Sequence, residues 1–226
     1  RDSFLSLCPP QRAQGVILMY FSYSAFMVSE KVSLVRCVLT SRKRGKDYRG
    51  GMTTYEKAKS DIVRWLNEER QNKDVAFTTM FDYYALPTDF PGFDEAQKEI
   101  DPYKKVAIIE NAFLRDINDS RFIPYIQLHE FETLLFVEPQ KFEIEFFDSP
   151  KGISTLQAIA DEFCNPELIN HGEQTAPSKR IISVYSSYEN NKPYIGSMIA
   201  HAIGIDALRN GCAHFNSWLT KLESLG

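Results

Sequence analysis

A chain of 226 residues, 43% hydrophobic and 25% charged, carries enough apolar side chain to bury a sizeable core, which excludes a disordered or fibrous protein. Its formal net charge of −4 excludes a global positive field, so any hold on nucleic acid or on an anionic membrane has to come from a local patch. Four cysteines (Cys8, Cys37, Cys164 and Cys212) lack paired spacing and read as reduced thiols of a cytoplasmic protein rather than a disulfide framework.

Residues 1–15 read as irregular, with Pro9 and Pro10 breaking any pattern. The chain starts at Arg1 without a Met, and residues upstream are expected to be missing from it. The stretch GVILMYFSYSAFMV at 15–28 is too short for a membrane span, which needs roughly 20 apolar residues. No small-residue cleavage site follows it, so it reads as a buried strand rather than a signal segment. Apolar runs at 16–23 and 32–40 are the first two strands expected.

SRKRGKDYRGG then reads as a basic, Gly-rich loop. Arg42, Lys43, Arg44, Lys46 and Arg49 make it a candidate landing place for DNA or RNA, against the ordinary alternative of a solvated charge run. A capping box of Thr53 and Glu56 opens a helix with Tyr55, Ala58, Ile62, Trp65 and Leu66 on one stripe. VAFTTMFD at 75–82 is a strand, and YYALPTDFPG after it a loop, since Pro and Gly stop regular structure there. Asp101 followed by Pro102 caps a helix whose face is Val106, Ile109, Phe113 and Ile117. FIPYIQL is the next strand, and a helix is expected to start near Glu130 with Phe131, Leu134 and Leu135 inward. Ser149-Pro150 opens another, and two more are expected at roughly 194–208 and 214–224. Strands alternating with helices predict an α/β core with a largely parallel sheet, followed by a helical C-terminal third.

In such a sheet, sites form beyond the carboxyl ends of the strands. VAFTTMF ends at Asp82, and FIPYIQL at His129 and Glu130, with Glu132 two residues on. If the two strands are neighbours, three carboxylates and an imidazole share one rim. Such an oxygen-rich set suits Mg²⁺ or Mn²⁺, held by Asp82, Glu130 and Glu132. Taken singly, each acid has a plainer account: Glu130 and Glu132 favour a helix N-terminus, and Asp82 can bond the following turn. Glu110 and Glu138 are expected to be solvated. APSKRI (176–181) and NNKP (190–193) add Ser178, Lys179, Arg180 and Lys192, cations suited to phosphate, with at most one of Lys179 and Arg180 facing a site. Cys212 and His214 fit no zinc spacing and read as a buried thiol and a packed imidazole. No G-x-x-x-x-G-K-[ST], G-x-G-x-x-G or G-x-S-x-G run occurs, so ATP hydrolysis by this chain alone is not expected.

The runs YRGGMTTYEKAKSDIVRWL, FTTMFDYYALPTDFPG, FIPYIQLHEFETLLF, APSKRI and KPYIGSMIAHAIGIDALRNGCAHFNSWL, spread over about 32–225, resemble a bacterial family described as a domain of unknown function, number 4276. That family looks related to Toprim-like folds, the metal-dependent catalytic domains of topoisomerases, primases and overcoming-lysogenization-defect nucleases. The resemblance implies a Toprim-like, Rossmann-like core over 1–150, with residues 1–30 atypical, and a helical region over 151–226 packed on it. It also implies an SMC- or ABC-type ATPase partner and a setting of defence against phage or plasmids. Two departures stand out. No Val-Glu-Gly-x-Thr-Glu-like stretch occurs in residues 1–30, and Asp82 is followed by Tyr83 and Tyr84 in place of an Asp-x-Asp pair.

The function expected on these grounds is a Mg²⁺-dependent nuclease or related phosphoryl-transfer enzyme. Asp82 and Glu130 would hold the metal, and Glu132 would act as a third ligand or a supporting acid. His129 would be a base or phosphate donor, and Arg180 would stabilise transition-state charge. The alternative is a catalytically inactive adaptor or sensor that binds the ATPase through its helical third.

Overall fold

The computed structural model describes the backbone of residues 15–20, 32–37, 41–43 and 46–48, and residues 52, 54–170 and 175–225 in full. Its strands and helices, in chain order, are β1 (Gly15–Tyr20), β2 (Val32–Cys37), β3 (Ser41–Lys43), β4 (Lys46–Tyr48), α1 (Tyr55–Glu68), β5 (Val75–Asp82), α2 (Phe93–Ala96), α3 (Pro102–Ile117), β6 (Phe122–Ile123) and β7 (Ile126–Gln127). There follow α4 (Pro150–Asp161), α5 (Pro177–Val184), α6 (Tyr188–Ile203), α7 (Ile205–Gly211) and α8 (Ala213–Glu223). The sheet runs in the order β2-β1-β5-β6, with β7 also on β5, and all of its pairs are parallel. The α/β class expected from the alternation is the class observed.

Strand β5 is the axis of the sheet. It pairs β1 along its length from Gly15↔Val75 to Tyr20↔Met80, and β6 and β7 on its other edge. A parallel strand covered on both faces has no polar side, hence the near-continuous run VAFTTMF. Val75, Phe77 and Phe81 face one core with Ile62, Trp65, Ile109 and Phe113 of α1 and α3. Met80 faces a second core, made with Tyr125, Phe131 and the side chains of α4 to α8, including Phe215 and Trp218. The helical C-terminal third therefore covers the sheet face toward which Asp82 alternates.

Several expectations needed correction. The basic stretch is not all loop: Ser41–Lys43 and Lys46–Tyr48 form an antiparallel hairpin. The side chains of Arg42, Lys43 and Lys46, and the residues Arg44 and Arg49, lie outside the described residues, as does Thr53 of the expected capping box. Helix α1 instead starts after Thr54, whose side chain makes no cap bond, and the Asp89 carboxylate accepts the Tyr55 N–H at 3.0 Å. The FIPYIQL strand is split in two, because Pro124 has no N–H to give the ladder. Threonines of β5 bridge the gap: the Thr78 hydroxyl donates to Ile123 O at 2.6 Å, and Tyr125 N donates to Thr79 Oγ1 at 3.1 Å.

The helix expected at Glu130 is a 3-10 turn over Phe131–Val137, with every side chain from Phe131 to Phe136 buried. A segment buried on all sides, its Glu132 and Thr133 included, gives no face to solvent, and tertiary packing sets its winding. Helix α5 was not anticipated, and α6 begins at Tyr188 rather than near 194, with Pro193 inside its first turns.

Arg121 ties the end of α1 to the sheet. Its guanidinium donates to the carbonyls of Glu69 (2.7 Å), Leu66 (3.0 Å) and Asn72 (3.3 Å) while Asp119 holds it at 2.8 Å. Leu66 lies in the last turn of α1, where a helix leaves its carbonyls without partners, and Glu69 and Asn72 lie in the turn that follows. Arg121→Ala is expected to cost about 2 kcal/mol, and Arg121→Lys most of that, since an ammonium cannot serve the same fork. Urea unfolding midpoints measure this, and a midpoint unchanged in Arg121→Ala would remove the assigned role.

Candidate functional site

Asp82 closes β5, and the chain then turns through a short 3-10 segment at Tyr83–Ala85. On the neighbouring edge, β7 ends at Gln127, paired with Asp82, and Leu128 leads to His129. His129 adopts φ +62°, a left-handed conformation uncommon outside glycine, and its carbonyl accepts the Tyr84 N–H at 3.2 Å. Strain of this kind clusters at functional sites. The turn it makes sets Glu130 and Glu132 on either side of Phe131.

The two strand ends thus deliver their acids to one place. Burial raises the Asp82 carboxyl well above its usual range, and the charges of Glu132 and Glu130 raise it further, against the Phe131 N–H and Lys192. Burial and the charge of Glu130 push Glu132 up to about 7, opposed by Lys192, its own backbone N–H and Tyr188. Glu132 is only 7% exposed. Its Oε1 lies 3.8 Å from Lys192 Nζ and 3.5 Å from the Tyr188 hydroxyl. Tyr188 and Lys192 stand four residues apart on α6, so one helix face supplies both. Gly196 one turn on lets that face close up, since a Cβ there would sit 3.1 Å from the Tyr188 hydroxyl and 3.3 Å from the Phe131 ring.

Glu130 has a different occupation. Ser178 N donates to Glu130 Oε2 at 2.9 Å and the Ser178 hydroxyl to Oε1 at 3.1 Å, so this carboxylate holds the first turn of α5. An acid at a helix N-terminus satisfies donors the helix leaves open and favours its dipole. Of the neighbouring cations in APSKRI, Lys179 lines the cleft described below. Arg180 points elsewhere, with Nε donating to Thr175 O at 2.8 Å and its guanidinium over the Phe163 ring.

Beside the acids lies an open cleft of about 950 Å³, walled by Tyr83, Tyr84, Lys105, His129, Glu130 and Lys179 among others. The His129 ring is 5.2 Å from that of Tyr84. Burial, with Lys105 nearby, lowers its pKa to about 4, so the imidazole is neutral at physiological pH. His129 is 8% exposed, and its Nδ1 is buried without a hydrogen-bond partner.

A divalent cation is what the sequence resemblance implies here. Among the described residues no three His, Cys, Asp or Glu side chains are grouped so as to hold a metal ion, and Glu130 is spent on Ser178. Mg²⁺, however, is commonly held by one or two carboxylates plus waters and substrate phosphates rather than by a protein cage. Asp82 and Glu132 are hard oxygen donors in a buried place where the charge of Glu132 disfavours ionised Asp82, with the Lys192 ammonium beside Glu132 as the cation present. That donor set fits.

A family model described as Domain of unknown function (DUF4276) matches residues 23–223. The chain belongs to that family. No curated protein and no solved structure matches it. For this DUF4276 chain, no helix among the described residues is long and apolar enough to cross a membrane.

Other residues singled out in the sequence have structural places. Cys212 is fully buried. Glu110 is not solvated as expected: its carboxylate accepts the Ile126 N–H at 2.8 Å and lies 3.0 Å from His214 Nε2. Burial opposes the charge on His214, but Glu110 holds its pKa above the ordinary value. Glu138 pairs with Lys141 at 3.5 Å on the surface. Sequence reasoning missed Lys105 and Tyr188, and it placed Lys192 with phosphate rather than with Glu132. The spacing of Tyr188 and Lys192 was the one available signal for the last two.

Proposed function

We propose that this protein is a Mg²⁺-dependent (or Mn²⁺-dependent) phosphoryl-transfer enzyme of the nuclease kind, related to Toprim domains, acting on DNA or RNA together with an SMC- or ABC-type ATPase in defence against phage or plasmids. One observation carries the reading: Asp82 and Glu132, from two separate chain segments, are brought to one place withdrawn from water at the carboxyl end of the central parallel strand, where Glu132 and Glu130 raise Asp82 and Glu130 raises Glu132. A fold gains nothing in stability from such a pair, and it makes sense as a seat for positive charge.

Asp82 and Glu132 are the residues that would hold the ion. When bound, it supplies charge neutralisation at a phosphoryl oxygen and a water of lowered pKa. Lys192 and the Tyr188 hydroxyl fix Glu132 in its orientation, and the Phe131 N–H fixes Asp82. Glu130 positions α5 and with it Lys179, which takes over the role first considered for Arg180, a cation facing the substrate's phosphate. His129, neutral, brings a ring to the substrate cleft rather than a positive charge.

The test is cleavage of DNA and of tRNA by the purified protein with its ATPase in Mg²⁺, comparing wild type with Asp82→Asn. Loss of about 100-fold or more in rate is expected, the scale on which removing a transition-state contact acts. Equal cleavage by both proteins would refute the assignment of Asp82.

A further inference from the structure

We infer that the cleft beside the acid pair is a nucleotide site, in which Lys105 and Lys179 take a phosphate and the rings of Tyr84 and His129 receive an unstacked base. The inference deepens the nuclease reading and rests on it for the link between this cleft and the acids.

Three properties of the cleft point to this chemistry. Its volume, about 950 Å³, lies within the range of roughly 300–1,000 Å³ typical of small-ligand sites. Its charge is positive and available: neither Lys105 nor Lys179 forms an ion pair with another described residue, and Glu130, the one carboxylate among the described wall residues, is held by Ser178. The Tyr84 ring is open on the same wall, with the buried His129 ring beside it. Tyr84 is 39% exposed, packs 6.2 Å from Tyr83 and 5.2 Å from His129, and Phe93 also lines the cavity. Cations interleaved with exposed aromatic rings are the means by which proteins hold single-stranded nucleic acid without reading a duplex.

His129 supplies an independent indication. A ring nitrogen that is buried and unpartnered is disfavoured in a folded protein, and here it belongs to a residue also held at φ +62°. Two costs on one cleft-lining residue are accounted for if the ring meets a ligand. Glu130 lies on the cleft wall and is felt by both Asp82 and Glu132, so a nucleotide seated there leaves its neighbouring phosphate next to the acid pair.

The full chain carrying Asp82→Asn, in Mg²⁺-free buffer, allows binding to be read without turnover. The chain has four histidines, so the imidazole proton resonances are few, and His129→Gln identifies the one of interest. Titrants are the four 5′-mononucleotides, the matching nucleosides, inorganic phosphate and single-stranded hexanucleotides of RNA and DNA. The His129 resonance is expected to move with at least one mononucleotide and less with the nucleoside or phosphate alone. Lys105→Gln with Lys179→Gln, and separately Tyr84→Leu, are each expected to weaken binding about tenfold or more. Hexanucleotides binding more tightly than mononucleotides assign the site to a strand, and the reverse order assigns it to free nucleotides. The inference is overturned if neither mononucleotides nor hexanucleotides move the resonance, or if binding survives both sets of substitutions in chains whose circular dichroism is unchanged. Binding that persists in a protein with no Mg²⁺-dependent cleavage would defeat the catalytic reading alone, whereas cleavage without binding here would defeat only this one.

Discussion

Replacing Glu132 with Gln is expected to stabilise the folded protein at pH 8 while removing its metal-dependent activity. The folded-state pKa of Glu132 is raised from 4.5 to about 7, so the native protein binds this proton more tightly than the unfolded chain does. The sign follows. Relative to the unfolded chain, the native state is favoured most below pH 4.5, loses stability as pH rises through 4.5 to 7, and carries the full penalty above that. Asp82 acts in the same direction, because burial and the charges of Glu132 and Glu130 raise it too.

A neutral Gln of the same shape removes the Glu132 penalty and relieves Asp82 of the like charge that acts on it most. The loss of Lys192 as a partner works against this, but that ammonium is 27% exposed and keeps access to water. A net gain of about 1–3 kcal/mol at pH 8 is expected, shrinking to nothing near pH 4. Unfolding midpoints across pH 4–8 for wild type, Glu132→Gln and Asp82→Asn measure it. A Glu132→Gln chain less stable than wild type at pH 8 would mean that the pair holds the fold together, and the catalytic reading would lose its main support. Stability rising as activity disappears is the expected mark of acids kept for chemistry.

The parts of the fold that were legible are those where one residue spacing decides the outcome. Helix α1 buries Tyr55, Ala58, Ile62, Trp65 and Leu66, and α3 buries Val106, Ile109, Phe113 and Ile117, the stripes visible in the sequence. Strand β5 was legible over its whole length because its β-branched and aromatic residues, ending at Asp82 before a Pro- and Gly-containing stretch, fit little else. The meeting of Asp82 with Glu130 and Glu132 was also readable, since parallel neighbours end on the same side of a sheet. What lies between them was not. Tyr188 is 56 residues from Glu132, and His214 is 104 from Glu110, separations across which no local pattern carries information. Helix α5 escaped for another reason. It spans 8 residues, and what fixes its start is a carboxylate 48 residues away rather than a cap of its own. The same holds for α1, whose first N–H is taken by Asp89, beyond the reach of a capping-box reading.

Glu167→Ala is expected to be the most damaging single substitution outside the candidate site, at about 4 kcal/mol of stability. Glu167 is fully buried in a 3-10 turn at Pro166–Leu168. Its Oε2 accepts the Tyr103 hydroxyl at 2.9 Å and the His214 N–H at 3.0 Å, and its Oε1 accepts the Phe215 N–H at 3.0 Å. Helix α8 starts at Ala213, so the second and third N–H groups of its first turn depend on this one remote carboxylate. Removing it leaves three donors without this acceptor, that of Phe215 buried and those of Tyr103 and His214 partly so, and a gap between α3 and α8. Glu167→Gln keeps the volume, but its amide has one accepting atom where three donors converge, and its NH₂ must face an N–H or hydroxyl donor. It is expected to recover less than half of the loss.

The consequence reaches the sheet because α8 also carries Trp218, whose indole N–H donates to Thr78 Oγ1 at 2.8 Å and whose ring stacks on Tyr125 at 4.4 Å. Urea unfolding followed by tryptophan fluorescence therefore reports on the right element. A fall in midpoint with the native emission blue-shift weakened is the expected result for Glu167→Ala. An unfolding free energy within about 0.5 kcal/mol of wild type would show that the N-terminus of α8 finds other acceptors, and that the C-terminal helices are held against β5 by their apolar core alone.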